Sequence, residues 1–128
     1  MKLNPDCIRD ILLYVEEHTD LHKHVTFTET ISDKKLERYT FDEISYHVKQ
    51  CELSGYFERT SHSITGDCSV SYLSPAGHQF LSNIRADNIW SDVKEVSKKV
   101  GSNSLQAISQ IASAVITAII QNQLGFTP

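Results

Sequence analysis

Two neighbouring stretches decide the fold, Tyr46-His-Val-Lys-Gln-Cys-Glu-Leu-Ser-Gly-Tyr-Phe-Glu58 and Ser71-Tyr-Leu-Ser-Pro-Ala-Gly-His-Gln-Phe-Leu81. In the first stretch, apolar residues at helical spacing lead to Gly55, which stands where a helix needs a left-handed residue to end. A strand follows, and then the polar residues 61–69, which contain the turn signal Gly-Asp. The residues Val70–Leu73 return as a second strand. This order predicts a helix, a strand, a turn and a strand.

Helix caps extend this pattern in both directions along the chain. Thr40 precedes Glu43 by three residues, the spacing of a capping box, so the helix before Gly55 is predicted to begin after Thr40. Ser74-Pro75 and Asn4-Pro5 each combine an N-cap residue with a proline suited to the first helical position. A helix is therefore expected after each of these two pairs.

The segment between the first two helices changes its periodicity. Val25, Phe27 and Ile31 alternate with threonines, which predicts a short edge strand within residues 24–31. The charged and irregular residues 32–39 are interpreted as a loop. The predicted fold class is therefore α+β. The element order is that of a winged helix, a helix-turn-helix variant with a small antiparallel wing sheet, over residues 1–86, followed by a C-terminal helical extension over residues 87–128.

The extension contains one helix that ends near Gly101 and a second that is capped by Ser102 or Ser104. Polar residues interrupt the second helix, so it is not predicted to span a membrane. Its wide apolar stripe predicts a homodimer seam or a partner-binding face, although docking onto its own domain would explain it equally well. The predicted interface residues are Trp90, Leu105, Ile108, Ile111, Val115 and Ile119.

Composition narrows the class of function. The chain has 128 residues, 40% apolar content and a net charge of -4, so DNA binding must depend on local rather than overall charge. Three cysteines without a C-x-x-C pair make a disulfide framework or a thiolate zinc site unexpected. His18, His22 and His24 lack converging ligands, so no metal site and no cofactor are predicted. No catalytic motif is present, and a reducing, cytoplasmic location is expected.

Candidate DNA contacts lie on and around the helix that begins after Thr40. Cations placed before this helix, on it and in the wing would contact phosphates, and its polar side chains would contact base edges. This helix carries three acids and one lysine on its polar face, which weakens the prediction. The candidate nucleic-acid-binding residues are Lys34, Lys35, Arg38, Ser45, His47, Lys49, Gln50, Arg59 and His62.

Three segments resemble a bacterial and prophage family of small, uncharacterised winged-helix-like proteins, a domain of unknown function. They are residues 2–16, residues 46–56 and the run Leu73-Ser-Pro-Ala-Gly-His-Gln-Phe-Leu-Ser-Asn-Ile-Arg85 with Trp90. Cys51 departs from the aliphatic residue expected there, but it remains a small hydrophobe. The resemblance implies the fold and a bacterial or phage origin, and it implies no catalytic residues.

The sequence therefore favours a non-enzymatic binding module, a prophage-associated DNA-binding regulator in which residues 40–54 enter the major groove. The alternative is a protein-binding module, such as a phage-encoded inhibitor or adaptor of a host protein. Acidic net charge favours this alternative. Fold-level analogy alone does not separate the two.

Overall fold

The computed structural model describes residues 1–125, which form an α+β fold of five helices and one three-stranded antiparallel sheet. The chain divides into two compact units, Met1–Gln79 and a second that begins at Phe80. The predicted boundary after residue 86 stays a prediction. The elements are α1 (Pro5–His18), β1 (Val25–Phe27), α2 (Phe41–Leu53), β2 (Phe57–His62), β3 (Cys68–Leu73), α3 (Pro75–Ile84), α4 (Asp87–Val100) and α5 (Leu105–Gln123).

The sheet has the strand order β1-β3-β2, and β3 pairs antiparallel with both neighbours. The predicted edge position of β1 is confirmed, but the strand has three residues rather than eight. It ends early because the chain turns at Thr28, whose carbonyl accepts a hydrogen bond from the Ile31 N–H at 3.1 Å. The alternation of apolar residues and threonines in the sequence therefore extends beyond Phe27, where the strand ends.

The core of the first unit lies between α1, α2 and the sheet. The apolar face of α1 contacts α2 and β3. The buried side chains of α2 are those of the predicted stripe, except that Phe41 is only half-buried and His47 is buried as well. Leu36 is 1% exposed, although it lies in the segment 32–39 that was interpreted as a polar loop. The buried apolar residues of this unit include Ile8, Ile11, Leu12, Val15, Leu36, Ile44, Val48, Cys51, Val70 and Leu73.

A close backbone approach joins the end of α2 to the start of α3. Ser74 donates its N–H to the Tyr56 carbonyl at 2.9 Å and its hydroxyl to the Gly55 carbonyl, and its Oγ accepts the Gly77 N–H at 3.1 Å. A Cβ atom at Gly77 would lie 2.3 Å from the Tyr56 carbonyl oxygen. Only glycine fits this position, because the neighbouring atom is backbone rather than a movable side chain.

In the second unit, α4 and α5 pack against each other. Gly101 ends α4 with φ 78°, and Ser104 caps α5 by accepting the Ala107 N–H. Trp90, Leu105 and Ile108 are 4%, 9% and 1% exposed, so all three belong to the interior of the chain itself. Packing within the chain already covers them, and their predicted place in an interface stays a prediction.

The later residues of the same stripe differ. Ile111 and Val115 are half-buried, and Ile119 and Ile120 are 38% and 51% exposed. The apolar stripe of α5 is thus covered at its start and open toward its end. Within residues 1–125, no helix combines the length and apolar character that crossing a bilayer requires.

Candidate nucleic-acid interface

The helix α2 is fixed at its start by the predicted capping box. Thr40 Oγ1 accepts the Glu43 N–H at 3.1 Å, and Glu43 Oε1 accepts the Thr40 N–H at 3.1 Å. At the other end, Gly55 has φ 78°, a left-handed conformation that glycine adopts without steric cost. Both limits of the candidate recognition helix are therefore encoded locally. The Glu43 carboxylate is engaged in the cap rather than directed away from the helix.

Two predicted phosphate contacts, Lys34 and Lys35, are exposed in the turn before α2. This turn is held by Asp33, whose Oδ1 accepts the Lys35 N–H at 2.8 Å, and by the buried side chain of Leu36. The two ammonium groups thus lie on a segment anchored to the core. This anchoring lowers the conformational entropy that the turn itself would lose on contacting a phosphate.

Arg38, the third predicted cation before α2, already has an ionic partner. Its Nη2 lies 2.6 Å from Oδ2 of the buried Asp10, and Tyr39 donates its hydroxyl to the same oxygen at 2.8 Å. The hydrogen bond to Asp10 raises the pKa of Arg38. The Arg38 side chain remains 61% exposed, so it links α1 to this segment while part of its surface faces water.

The exposed face of α2 presents fewer polar groups than predicted. Lys49 is exposed and lies 3.7 Å from Glu52, while Gln50 is half-buried. Ser45 is also half-buried, and within residues 1–125 its Oγ is buried with no hydrogen-bond partner. Because that hydroxyl does not face outward, Ser45 leaves the set of candidate base contacts.

His47 also leaves the set, because it is 1% exposed. Its Nε2 accepts the Asn4 N–H at 2.8 Å, and its Nδ1 lies 2.6 Å from the Glu43 carbonyl oxygen. These partners fit the neutral tautomer that carries its proton on Nδ1. His47 therefore joins the N-cap of α1 to α2, and the prediction that it contacts a base is corrected to a structural role.

The hairpin of β2 and β3 carries the last two predicted contacts, Arg59 and His62. Its connection is closed by a hydrogen bond from the Ser63 N–H to the Asp67 carbonyl at 2.9 Å, and Gly66 supplies the left-handed turn residue with φ 94°. Arg59 is exposed and has φ 48°. A left-handed residue other than glycine costs on the order of 1 kcal/mol, so the hairpin holds Arg59 in a strained conformation.

His62 lies in a cluster that was not among the predicted sites. His62 ends β2 and Cys68 begins β3, and the two are paired across the hairpin, so their side chains share a face. Glu52, in the last turn of α2, reaches the same point: His62 Nε2 lies 2.6 Å from Glu52 Oε2 and 4.0 Å from Cys68 Sγ. One donor atom from each residue lies within 4.8 Å of the others. This is a set of groups that could hold a metal ion.

The surroundings of this cluster favour the ionised form of the Glu52 carboxyl and the protonated form of the Cys68 thiol. Burial alone would raise the pKa of Glu52, but hydrogen bonds from His62 and Thr60 and the nearby charges of His62 and Lys49 lower it overall. Burial, followed by the charge of Glu52, raises the pKa of Cys68 to about 11. Near neutral pH the cluster therefore contains an ionised carboxylate beside a protonated thiol.

Comparison with known proteins identifies a family but no activity. The family described as "Hypothetical protein (DUF2513)" matches residues 2–103. The chain belongs to this family. It is also 28% identical over 123 residues to a Haemophilus influenzae protein named "Uncharacterized protein", a match that covers 94% of this chain and 99% of the relative. No solved structure gives a significant match. The expected membership of a domain family of unknown function is thereby confirmed.

Two features of the sequence are consistent with the burial of His47 and with the pairing of His62 and Cys68. Ile44, His47, Val48 and Cys51 follow the spacing i, i+3, i+4 and i+7, which places His47 inside the buried stripe. His62 and Cys68 flank the turn at Gly66, so pairing of the strands that enter and leave that turn brings them opposite each other. The position of Glu52 beside them required the packing of α2 on β2, which no local pattern specifies.

Proposed function

We propose that the chain is a non-enzymatic binding module of the winged-helix type that contacts duplex DNA through α2 and the β2–β3 hairpin. One observation supports this proposal most directly. Lys34, Lys35, Lys49 and Arg59 are all exposed, and they lie on the turn before α2, on α2 itself and on the hairpin that follows it. Cations on a helix and its flanking segments are the groups that contact phosphates in helix-turn-helix proteins.

The strand order β1-β3-β2, with a helix immediately before the hairpin, is consistent with this assignment. In the proposed complex, α2 enters the major groove and the residues of the hairpin turn contact phosphate or the minor groove. A prophage-associated regulatory role is part of the same proposal. The bacterial source of the relative is compatible with it.

The exposed acids Asp42 and Glu58 oppose this binding, because they repel phosphate near the same elements. The acids Glu43 and Glu52 oppose it less, since one caps α2 and the other pairs with His62. We therefore expect moderate affinity that depends strongly on salt. Discrimination between DNA sequences would depend on Lys49 and Gln50, the two candidate base contacts on α2 that remain once the buried Ser45 and His47 are excluded.

The test is fluorescence anisotropy with a labelled random duplex at increasing salt concentration. If each of the four cations contacts one phosphate, the plot of log affinity against log salt should have a slope of about -3.6. The double variant Lys34→Glu/Lys35→Glu should weaken binding at low salt and make the slope shallower by about 2. Arg38 is left unchanged, because its replacement would also disturb Asp10.

The matched control is Lys98→Glu/Lys99→Glu at the exposed end of α4, which changes the net charge by the same amount. It should bind as the wild type does. Equal weakening by both double variants would assign binding to net charge alone, and no binding by the wild type at low salt would refute the DNA proposal.

A second candidate function, recognition of a protein partner, is favoured by the open end of the α5 stripe. Ile119, Ile120 and Leu124 are 38%, 51% and 64% exposed. Exposed apolar side chains in one stretch of a helix are typical of a protein interface. The simplest occupant is a second copy of this chain, which would form the predicted homodimer, and the alternative is a host or phage protein.

Light scattering on the full-length chain measures the dimer directly. Ile119→Lys/Ile120→Lys should convert a dimer to a monomer, because two charges would be buried at the seam. Thr117→Lys, at another exposed position on α5, is the single-charge control. A monomeric wild type over the accessible concentration range would refute the dimer and leave a different protein as the partner to be sought.

A further inference from the structure

The cluster of Glu52, His62 and Cys68 combines an oxygen, a nitrogen and a sulfur donor from three different elements. Cys68 is 3% exposed, whereas the side chains of Glu52 and His62 are 25% and 40% exposed. The sulfur thus forms the inner side of the cluster, and the other two donors lie toward solvent. An ion could approach from the solvent side without opening the core.

The distances suit a small tetrahedral ion after modest side-chain movement. Zn²⁺ bonds of about 2.0–2.3 Å place neighbouring ligand atoms roughly 3.3–3.8 Å apart. The Glu52–His62 and His62–Cys68 separations of 2.6 and 4.0 Å lie on either side of that range. All three donor atoms lie within 4.8 Å of one another, so movements of about 1 Å at the two partly exposed side chains would bring them to ligand distance.

We propose that Glu52, His62 and Cys68 bind Zn²⁺ or a closely similar divalent transition-metal ion, with water in the fourth position. A sulfur ligand disfavours Mg²⁺ and Ca²⁺, which prefer oxygen, and mixed sulfur and imidazole donors suit zinc. One thiolate and one carboxylate also neutralise the two positive charges of the ion. Three protein ligands and an open fourth position form a recognised zinc arrangement.

Binding of the ion changes the protonation of two of the three ligands, Cys68 and His62. The Cys68 thiol loses its proton to solvent and becomes a thiolate ligand. Neutral His62 donates to Glu52 when its proton is on Nε2, so binding through Nε2 requires that proton to move to Nδ1. The hydrogen bond between His62 and Glu52 is replaced by two bonds to the metal. One proton is therefore released per ion at a pH where His62 is neutral.

The surrounding groups would support the site. Thr60 hydrogen-bonds to Glu52, and Lys49 lies 3.7 Å from the same carboxylate. These contacts orient the carboxylate, which is the role that outer groups have around metal ligands. The bound ion would join the last turn of α2 to both strands of the hairpin and would stabilise the native state.

The experiment is a titration of the untagged, reduced, full-length protein with Co²⁺, whose absorption reports its ligands. We expect one ion per chain, a sulfur-to-metal charge-transfer band and the visible bands of a tetrahedral site, all lost when Zn²⁺ is added. Glu52→Gln and His62→Gln should each weaken binding at least about 10-fold. Cys68→Ser should abolish the charge-transfer band.

Two control variants keep the result independent of folding defects. His24→Gln removes an exposed histidine outside the cluster, and Cys51→Ser removes a buried thiol, so both should retain the charge-transfer band if they fold. Circular dichroism identifies folded variants, and the two exposed-side substitutions at Glu52 and His62 decide the outcome if Cys68→Ser unfolds. Absence of a charge-transfer band in the wild type, or its persistence in His62→Gln at unchanged affinity, would overturn the proposal.

Metal binding is measured without DNA, so its result is independent of the proposed function. Thermal melting gives a second measurement: Zn²⁺ at one fixed concentration should raise the melting temperature of the wild type and of His24→Gln by equal amounts and that of His62→Gln by clearly less. Equal stabilisation of all three proteins would show that the ion binds elsewhere and would refute this assignment.

Discussion

The close approach between Gly77 and Tyr56 predicts that Gly77→Ala destabilises the protein. The new Cβ would lie 2.3 Å from the Tyr56 carbonyl oxygen and 3.1 Å from its carbonyl carbon. Overpacking of this kind costs about 1–3 kcal/mol. Displacing the carbonyl would also weaken its hydrogen bond from the Ser74 N–H, which contributes about 1 kcal/mol.

The higher helix propensity of alanine opposes this destabilisation but is smaller. Alanine has a higher helix propensity than glycine by up to about 1 kcal/mol, and Gly77 lies in the first turn of α3. The net expectation is a loss of about 2 kcal/mol in the free energy of unfolding, or roughly 5–10 °C in melting temperature. Urea denaturation followed by circular dichroism measures the first quantity, and a thermal melt measures the second.

The neighbouring variant His78→Ala provides the control, because His78 is exposed in the same helical turn. It should change the unfolding free energy by no more than about 0.5 kcal/mol. If Gly77→Ala is as stable as the wild type or more stable, helix propensity prevails. The close approach of α3 to Tyr56 would then be refuted.

Three further predictions concern buried polar groups. His47→Ala leaves two backbone groups without their partners and should cost about 2–3 kcal/mol in urea denaturation; a loss below about 0.5 kcal/mol would contradict its structural role. Arg38→Ala should lower the melting temperature more than Asp10→Ala, because it leaves the Asp10 carboxylate, which is 9% exposed, without its cation, whereas Asp10→Ala leaves a guanidinium that is 61% exposed to water; equal losses would argue against this ranking. Burial raises the pKa of Cys7 to about 12 and that of Cys68 to about 11, from an ordinary value of 9.0, so the native state retains these protons when the unfolded chain loses them. This stabilisation is complete below about pH 9 and decreases as the pH rises toward those native values. The urea concentration at the unfolding midpoint should therefore decrease as the pH is raised from about 9 to about 11. An increase over that range would refute the assigned burial.

Much of the secondary structure could be predicted from the sequence, because its signals act over three or four residues. The Thr40–Glu43 capping box, the left-handed Gly55 and the N-cap Asn4 all form as predicted. Predictions from alternation were less accurate. The strand at Val25 ends sooner than its side-chain pattern, since pairing also requires a partner strand and an uninterrupted backbone direction.

The candidate sites could be predicted only in part. Exposure of Lys34 and Lys49 follows from their place outside the apolar stripe, and the structure agrees. Trp90 and Ile108 showed the same helical spacing as the exposed Ile119, but they are buried. Periodicity identifies an apolar face without identifying what covers it, because a neighbouring element and a second molecule would produce the same pattern.

The sequence by itself determined where α2 begins and ends and that a hairpin follows it, because caps and turns are hydrogen-bonded within a few residues. Only the tertiary structure decided which side chains of that helix face water. His47 is enclosed through a contact with Asn4, 43 positions away in the chain, and Glu52 meets His62 through the packing of α2 on β2. Such contacts depend on how elements pack, so the same residues that appeared suited to reading DNA are divided between a structural hydrogen bond and a cluster of potential metal ligands.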